Sequence, residues 1–249
     1  MPAQRARIDK LLVDRGLVSS RERARRLVMA GEVWVAQQRV DKPGALVAVD
    51  APLDVRGADI PFVSRGGLKL DGALAHWEID VGGLAAVDIG ASTGGFTDCL
   101  LQRGAHHVYA IDVGYGQFAW KLRQDPRVTL FERANIRGFD PSHLPQPAEL
   151  AVIDVSFISL RLVLPTAIRL VRPGGIILPL VKPQFEVGKG EVGKGGVVSD
   201  PQQQRAVVDA IRAFGLGLGL SCRGDHPSPI LGPKGNQEFF LYFLVGASG

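Results

Sequence analysis

The chain has 249 residues and a net charge of +4, which allows one large domain, or a medium one with a small appendage, and only a mild basic excess. Apolar residues make up 46% and charged residues 22%, with 31 Gly and 16 Pro, a composition that excludes a disordered or fibrous chain. No apolar run approaches the ~18 residues of a membrane span, and the start, Met1-Pro2-Ala3-Gln4-Arg5, lacks the apolar stretch of a secretion signal, so a cytoplasmic protein without a membrane partner is expected.

The basic excess is concentrated at one end. Residues 1–42 carry ten basic side chains against five acidic ones, +5, which leaves −1 for the rest. Ile8, Leu11 and Leu12 have the spacing of a helix face that stops at Gly16. Ser19 with Glu22 reads as a capping box that opens a second helix, whose Ala24, Leu27 and Val28 form an inward stripe. At 100° per residue, Arg21, Arg23, Arg25 and Arg26 fan over the opposite side. Gly31 ends that helix, and Val33, Val35, Val40, Val47 and Val49 alternate with polar residues through a turn expected at Lys42-Pro43-Gly44. A solvated charged face is the ordinary reading of such a helix. Four arginines in six positions on so small a module favour nucleic-acid phosphates instead, because a planar guanidinium pairs with phosphate through two bonds. Arg7 and Lys10 join them as candidate RNA-binding residues. The run Arg7-Ile-Asp-Lys-Leu-Leu-Val, the Ser-Ser-Arg start of the second helix and the turn Ala30-Gly31-Glu32-Val33 resemble the RNA-binding domain named after ribosomal protein S4. That resemblance places a small α+β domain at 1–54, followed by a Gly- and Pro-bearing linker at 55–62.

From residue 63 to 249 the pattern changes class. Strands are expected at Leu84–Ile89, Val108–Ile111, Val128–Phe131, Leu150–Ile153 and Ile176–Val181. Helices are expected from Gly95, around Phe118–Leu122, over Leu160–Val171 and over Gln202–Phe214, before two closing strands, Leu216–Cys222 and Glu238–Val245. Alternation of this kind implies an α/β fold with a mostly parallel, doubly wound sheet, whose ligands bind at the carboxyl ends of the strands where the strand order reverses.

Glycine-rich stretches mark candidate sites. Asp88-Ile-Gly-Ala-Ser-Thr-Gly-Gly-Phe96 lies between a strand and a helix, where glycines let backbone approach a ligand. Read as Gly90-Ala-Ser92-Thr-Gly94 it matches the nucleophile elbow of an α/β-hydrolase, with Asp154 and His226 following in order. That elbow would lie on the first strand of the sheet, however, and no oxyanion segment precedes it. Read as a methyltransferase loop, it places Asp88 at the end of the first strand and Asp112 at the end of the second, where an acid suits the ribose hydroxyls of an adenosine. A dehydrogenase would require a stricter glycine register, and a plain packing turn remains open. Gly188-Lys-Gly-Glu-Val-Gly193-Lys194-Gly195 nearly spells a P-loop, but Gly195 replaces the Ser or Thr that holds magnesium. A mobile basic loop carrying Lys189 and Lys194 is expected there.

Four charged residues form the catalytic candidates: Asp154, Lys182 and Glu238 at strand ends, and Lys69 at the start of the helix preceding the first strand. The stretches that hold them, Ser64-Arg-Gly-Gly-Leu-Lys69-Leu, Asp154-Val-Ser-Phe-Ile-Ser, Val181-Lys-Pro-Gln-Phe-Glu186 and the opening of the last strand, stand in order with the Asp88 and Asp112 motifs. Together they resemble the hemolysin A-like (TlyA) ribosomal RNA 2′-O-methyltransferases over nearly the whole chain. The resemblance implies a class I (Rossmann-like) methyltransferase domain of FtsJ type, with S-adenosyl-L-methionine as cofactor, and a Lys-Asp-Lys-Glu tetrad falling on Lys69, Asp154, Lys182 and Glu238. It implies cofactor contacts from Asp88, Gly90, Ser92, Gly94, Gly95 and Asp112, with Asn135 toward the adenine and Phe157 beside the site. A ribose 2′-hydroxyl is a weak nucleophile facing an already activated methyl group, so alignment and proton removal are the main tasks, and Lys182 is the candidate base. The implied substrate is a cytidine of ribosomal RNA or a ribosomal subunit. The chain stops at Gly249 without the helical extension of longer members, so the large subunit is the expected target.

Cys99 and Cys222 are too few and too far apart for a disulfide framework, and His76, His106, His107, His143 and His226 lack metal-ligand spacing, so no metal site is expected. Two other classes stay open: a pore-forming hemolysin, as the family's historical name suggests, and a ribosome-binding factor whose methyltransferase fold is inactive.

Overall fold

A computed structural model describes residues 4–18, 20–36, 38–55, 60–188, 192–193 and 195–246. The chain divides into two compact units, Met1–Ile60 and Pro61–Gly249.

The first unit runs β1 (Arg5–Arg7), α1 (Ile8–Asp14), α2 (Arg21–Met29), β2 (Val33–Val35), β3 (Gln38–Val40), β4 (Leu46–Ala48) and β5 (Leu53–Val55). Its core joins Ile8, Leu11 and Leu12 of α1 to Ala24, Leu27 and Val28 of α2, with Val33 and Val47 beneath. The hydroxyl that caps α2 belongs to Ser20, whose Oγ accepts from Arg23 N at 3.2 Å, and the expected cap Ser19 lies outside the described residues. The expected hairpin is also displaced. β2 and β3 pair antiparallel with Val33 opposite Val40, so the chain reverses just after Val35, with Ala36 at φ +47°. The Lys42-Pro43-Gly44 segment instead leads to β4, which leaves that sheet and pairs with β1, Val47 opposite Ala6. Arg-Ala-Arg has no strand propensity of its own. Only this pairing makes β1 a strand.

The second unit contains α3 (Gly66–His76), β6 (Ala85–Ile89), α4 (Gly95–Gln102), β7 (His107–Ile111), α5 (Trp120–Arg123), β8 (Val128–Phe131), β9 (Ala148–Ile153), α6 (Leu164–Leu170), β10 (Val171–Val181), α7 (Pro183–Glu186), α8 (Pro201–Gly217), β11 (Leu220–Pro227) and β12 (Phe239–Val245). Its seven strands stand in the order β11-β12-β10-β9-β6-β7-β8. β10, β9, β6, β7 and β8 are parallel neighbours, whereas β12 runs antiparallel to both β10 and β11. The chain winds outward from β6 through β7 to β8, then returns to β9 on the other side of β6. This is the strand-order reversal at which open α/β sheets bind ligands.

Several boundaries differ from those expected. The expected helix over Leu160–Val171 splits into a 3-10 turn, Leu160–Leu162, and α6, because Val171 already pairs with Ala148 in the sheet. The helix around Phe118–Leu122 shrinks to the single turn of α5. Leu216 belongs to α8, not to a strand; the helix continues to Gly217, and Gly219 at φ +85° supplies the left-handed turn into β11.

Candidate active site

Parallel strands present their carboxyl ends on one side, and a reversed strand presents its amino end there. Asp154 follows β9, Lys182 follows β10, and Glu238 immediately precedes β12, so residues far apart in sequence meet at one edge of the sheet. The β10–β12 register pairs Val181 with Phe239, which makes Lys182 and Glu238 the next rung. Lys69 reaches the same edge from the first turn of α3.

These four side chains form two ion pairs. Lys69 Nζ lies 2.6 Å from Glu238 Oε2, and Lys182 Nζ lies 2.6 Å from Asp154 Oδ1. Lys69, Lys182 and Glu238 are all buried. Lys182 directs its hydrogen bond to Ser156 Oγ at 3.0 Å, so the buried Asp154 Oδ1 is held by charge rather than by an aligned donor. Gln184 Nε2 donates to Glu238 Oε1 at 3.4 Å, and a Cβ on Gly232 would lie 2.2 Å from that same oxygen. The segment Ile230–Gly232 thus closes over Glu238.

The loop from β6 to α4 packs against the end of β9 and the start of α3. A Cβ on Gly90, at φ +84°, would lie 2.5 Å from the Asp154 carbonyl oxygen, so only glycine lets this turn cross the end of β9. Gly95 stands against Ser64 and Gly67, which sets the start of α3, and hence Lys69, beside the loop. Two cavities flank it. One of about 540 Å³ is lined by Ser64, Arg65, Lys69, Gly95 and the Ile230–Gly232 segment. The other, about 460 Å³, is lined by Asp112, Gln117, Asn135 and Phe157. Gly90, Ser92 and Asp154 border both.

Asp112 accepts from Ser92 N at 2.7 Å, Gly114 N at 2.6 Å and Gln117 Nε2 at 3.0 Å, which ties the glycine loop to the loop after β7. Three of its roughly four acceptor positions are filled, and one remains for a hydroxyl. Asn135 Oδ1 accepts from Arg137 N at 3.1 Å and caps a 3-10 turn, leaving its amide hydrogens to donate. Phe157 is 89% exposed at φ +63°, its ring 4.9 Å from that of Phe185 at the cavity rim.

Two of the residues expected at the cofactor border neither cavity. Asp88 is fully buried on the α4 side of β6, where Thr97 Oγ1 donates to its Oδ2 at 2.6 Å and its Oδ1 has no partner. Burial pushes its pKa up to about 7. Gly94, at φ +97°, makes room for Leu122 and Phe118, since a Cβ there would lie 2.5 Å from Leu122 Cδ1. Other residues at the site had no role from sequence alone. Arg65 is exposed in the larger cavity. Ser156 holds Lys182, and Glu186 accepts from Ser159 Oγ at 2.6 Å and Leu160 N at 2.7 Å, fixing the segment after Asp154. The signal for these was their place inside the motifs Ser64-Arg-Gly-Gly, Asp154-Val-Ser and Val181-Lys-Pro-Gln-Phe-Glu.

In the first unit the arginines do not form one free fan. Arg7 and Arg21 both pair with the buried Asp9, and Arg23 donates to the Ile60 carbonyl at 3.1 Å. Lys10 and Arg25 are exposed, and Arg26 is half-buried. Lys189 and Lys194 lie outside the described residues. Among the described residues no group of His, Cys, Asp or Glu could hold a metal ion, and no helix is long and apolar enough to cross a membrane.

Comparison with known proteins agrees with this division. Residues 62–244 match the FtsJ-like methyltransferase family, and residues 6–51 match the S4 domain. The chain is 49% identical over 241 residues to the 16S/23S rRNA (cytidine-2′-O)-methyltransferase TlyA of Mycobacterium tuberculosis, covering 96% of this chain and 90% of the relative. It is 34% identical over 240 residues to Hemolysin A of Brachyspira hyodysenteriae, covering 96% of this chain and 100% of the relative. A solved structure named as a hemolysin from Streptococcus thermophilus superposes with a TM-score of 0.77 at 43% identity, over 98% of this chain and 90% of that one. With a seven-stranded sheet reversed at β12, two ion pairs along one edge of it and a family match over most of its length, the chain belongs to the FtsJ-like methyltransferase family.

Proposed function

We propose that this chain transfers a methyl group from S-adenosylmethionine to the ribose 2′-hydroxyl of a cytidine in ribosomal RNA, which it engages through the S4-like unit. The observation that carries the reading is the arrangement of the Lys69–Glu238 and Lys182–Asp154 pairs beside a cavity that meets a second one at Gly90, Ser92 and Asp154. The second cavity suits an adenosine-sized ligand: its volume is in the range of small-molecule sites, Asp112 can accept from a ribose, and Asn135 can donate to a ring nitrogen. Bound there, S-adenosylmethionine supplies an electrophilic methyl on its sulfonium.

The chain's own residues then have separable tasks. Lys69, locked by Glu238, orients the hydroxyl from the larger cavity. Once its ammonium has released a proton to solvent, the neutral Lys182 amine takes the hydroxyl proton as the new oxygen–carbon bond forms and the sulfonium sulfur–carbon bond breaks to leave a thioether, and Asp154 with Ser156 keeps the amine aimed at the hydroxyl. Glu186 keeps the segment after Asp154 in place. The name of the Mycobacterium relative covers both subunits, so each subunit is assayed separately.

The test is transfer of labelled methyl from S-adenosylmethionine to isolated small and large ribosomal subunits, followed by mapping of the modified nucleotide. A single labelled cytidine 2′-oxygen is expected. Lys182→Ala should lower turnover by about 10²–10⁴ while leaving cofactor affinity, measured by calorimetry, near wild type. Near-normal turnover in that variant removes Lys182 from the role.

A further inference from the structure

An RNA-docking surface ordinarily avoids carboxylates, yet the S4-like unit buries one at the centre of its basic cluster. Asp9 is fully buried in the first turn of α1, with its backbone N–H on the Pro43 carbonyl at 3.2 Å. Arg7, just before α1, grips it with a two-point fork: Nε to Oδ1 at 3.0 Å and Nη2 to Oδ2 at 2.9 Å. Arg21, at the start of α2, donates Nε to the same Oδ2 at 3.2 Å. The two arginines come from different elements, β1 and α2, and converge on one carboxylate, and their side chains remain 48% and 57% exposed.

The donor count shows what is left over. A guanidinium has five N–H bonds, so these contacts leave three on Arg7 and four on Arg21. Two cations against one anion leave the cluster positive. Hydrogen bonding from Arg7, reinforced by Arg21, holds the Asp9 carboxyl at about 2, so the arrangement is charged at any working pH.

We propose that Asp9 is a positioning residue that fixes Arg7 and Arg21 side by side as a clamp for a single RNA phosphodiester. Much of the rotamer freedom that two free arginines would lose on binding is already lost on folding, and the pair meets phosphate with its forks set. The proposal rests on the reading of this unit as the RNA-docking module. It also reverses the prediction from net charge. Asp9→Asn makes the protein more basic, which by Coulomb attraction alone would tighten RNA binding; loss of the clamp weakens it.

The test uses the full-length protein and a fluorescein-labelled RNA stem-loop, with affinity measured by anisotropy across a salt series and folding checked by thermal melting. Asp9→Asn is expected to bind about tenfold more weakly, with a shallower salt dependence, since fewer phosphate contacts release fewer counterions. Equal or tighter binding by the folded Asp9→Asn variant overturns the clamp. If that variant does not fold, Arg7→Lys and Arg21→Lys decide, because both sites are exposed and both changes keep the charge while removing the fork. Weaker binding with an unchanged melt supports the clamp, and wild-type affinity overturns it. The double variant Arg7→Gln with Arg21→Gln separates the two readings. If it binds like wild type, the docking reading of this surface falls and the clamp with it. If it binds weakly while the Asp9 and lysine variants bind normally, docking stands and the clamp is overturned.

Discussion

Replacing Glu238 with Leu would leave the Lys69 ammonium buried without its partner. Lys69 Nζ is 2.6 Å from Glu238 Oε2, with side chains 10% and 0% exposed, so neither charge can turn to water for compensation. Breaking a buried pair from one side costs about 3–5 kcal/mol, whereas an exposed pair would cost about 1 kcal/mol or less. At roughly 2–4 °C per kcal/mol for a domain of this size, the second unit should melt some 6–20 °C lower. Lys69→Met should cost a similar amount, by stranding the carboxylate. The double variant Lys69→Met with Glu238→Leu removes both charges, and should recover most of the loss because an apolar pair of similar volume needs no charge compensation. Urea titrations followed by Trp77 and Trp120 fluorescence give the four corners of the cycle, with an expected coupling of about 3 kcal/mol. The reasoning is refuted if each single variant costs less than about 1 kcal/mol. Methyl transfer adds a second readout: the double variant should be stable and inactive, separating the pair's proposed role in catalysis from its contribution to folding.

Gly90→Ala combines a left-handed backbone with a 2.5 Å approach to the Asp154 carbonyl, so calorimetry should detect little S-adenosylmethionine binding, and wild-type affinity would show that the loop can yield. Asp88 has its folded pKa raised to about 7 from an ordinary 3.8. The folded state therefore holds this proton where the unfolded chain has released it, so stability is highest below the unfolded value and declines as pH rises from about 4 to about 7. Asp88→Asn should flatten that decline in melts taken across the range; an unchanged slope would assign it to other groups. Removing Met1–Ile60 should weaken RNA affinity and its salt dependence strongly while sparing cofactor affinity, and equal RNA binding by the truncated chain would overturn the division of labour.

The fold class, the glycine loop and the four charged candidates were legible in sequence because each rests on local pattern. Alternating strands and helices imply a doubly wound sheet, a glycine turn marks the β6 end, and charged residues capping apolar runs stand out. What local pattern does not contain is direction. β6 is buried throughout, so its sequence shows no apolar and polar faces, and nothing marked that Asp88 turns toward Thr97 instead of toward a cavity. Adjacent Ser19 and Ser20 offer the same hydroxyl, and only the backbone placed the cap on Ser20.

The helical periodicity of α2 correctly put Ala24, Leu27 and Val28 inside, and thereby the arginines outside. A helical wheel has no knowledge of a neighbouring helix, so it could not show Asp9 of α1 gathering Arg7 and Arg21. The same holds at the active edge. Sequence by itself determined which residue types stand at the strand ends. Tertiary structure alone decided that Lys69 pairs with Glu238 and Lys182 with Asp154, because those partnerships depend on β12 running against β10 and on α3 packing beside the glycine loop, contacts between segments up to 169 residues apart.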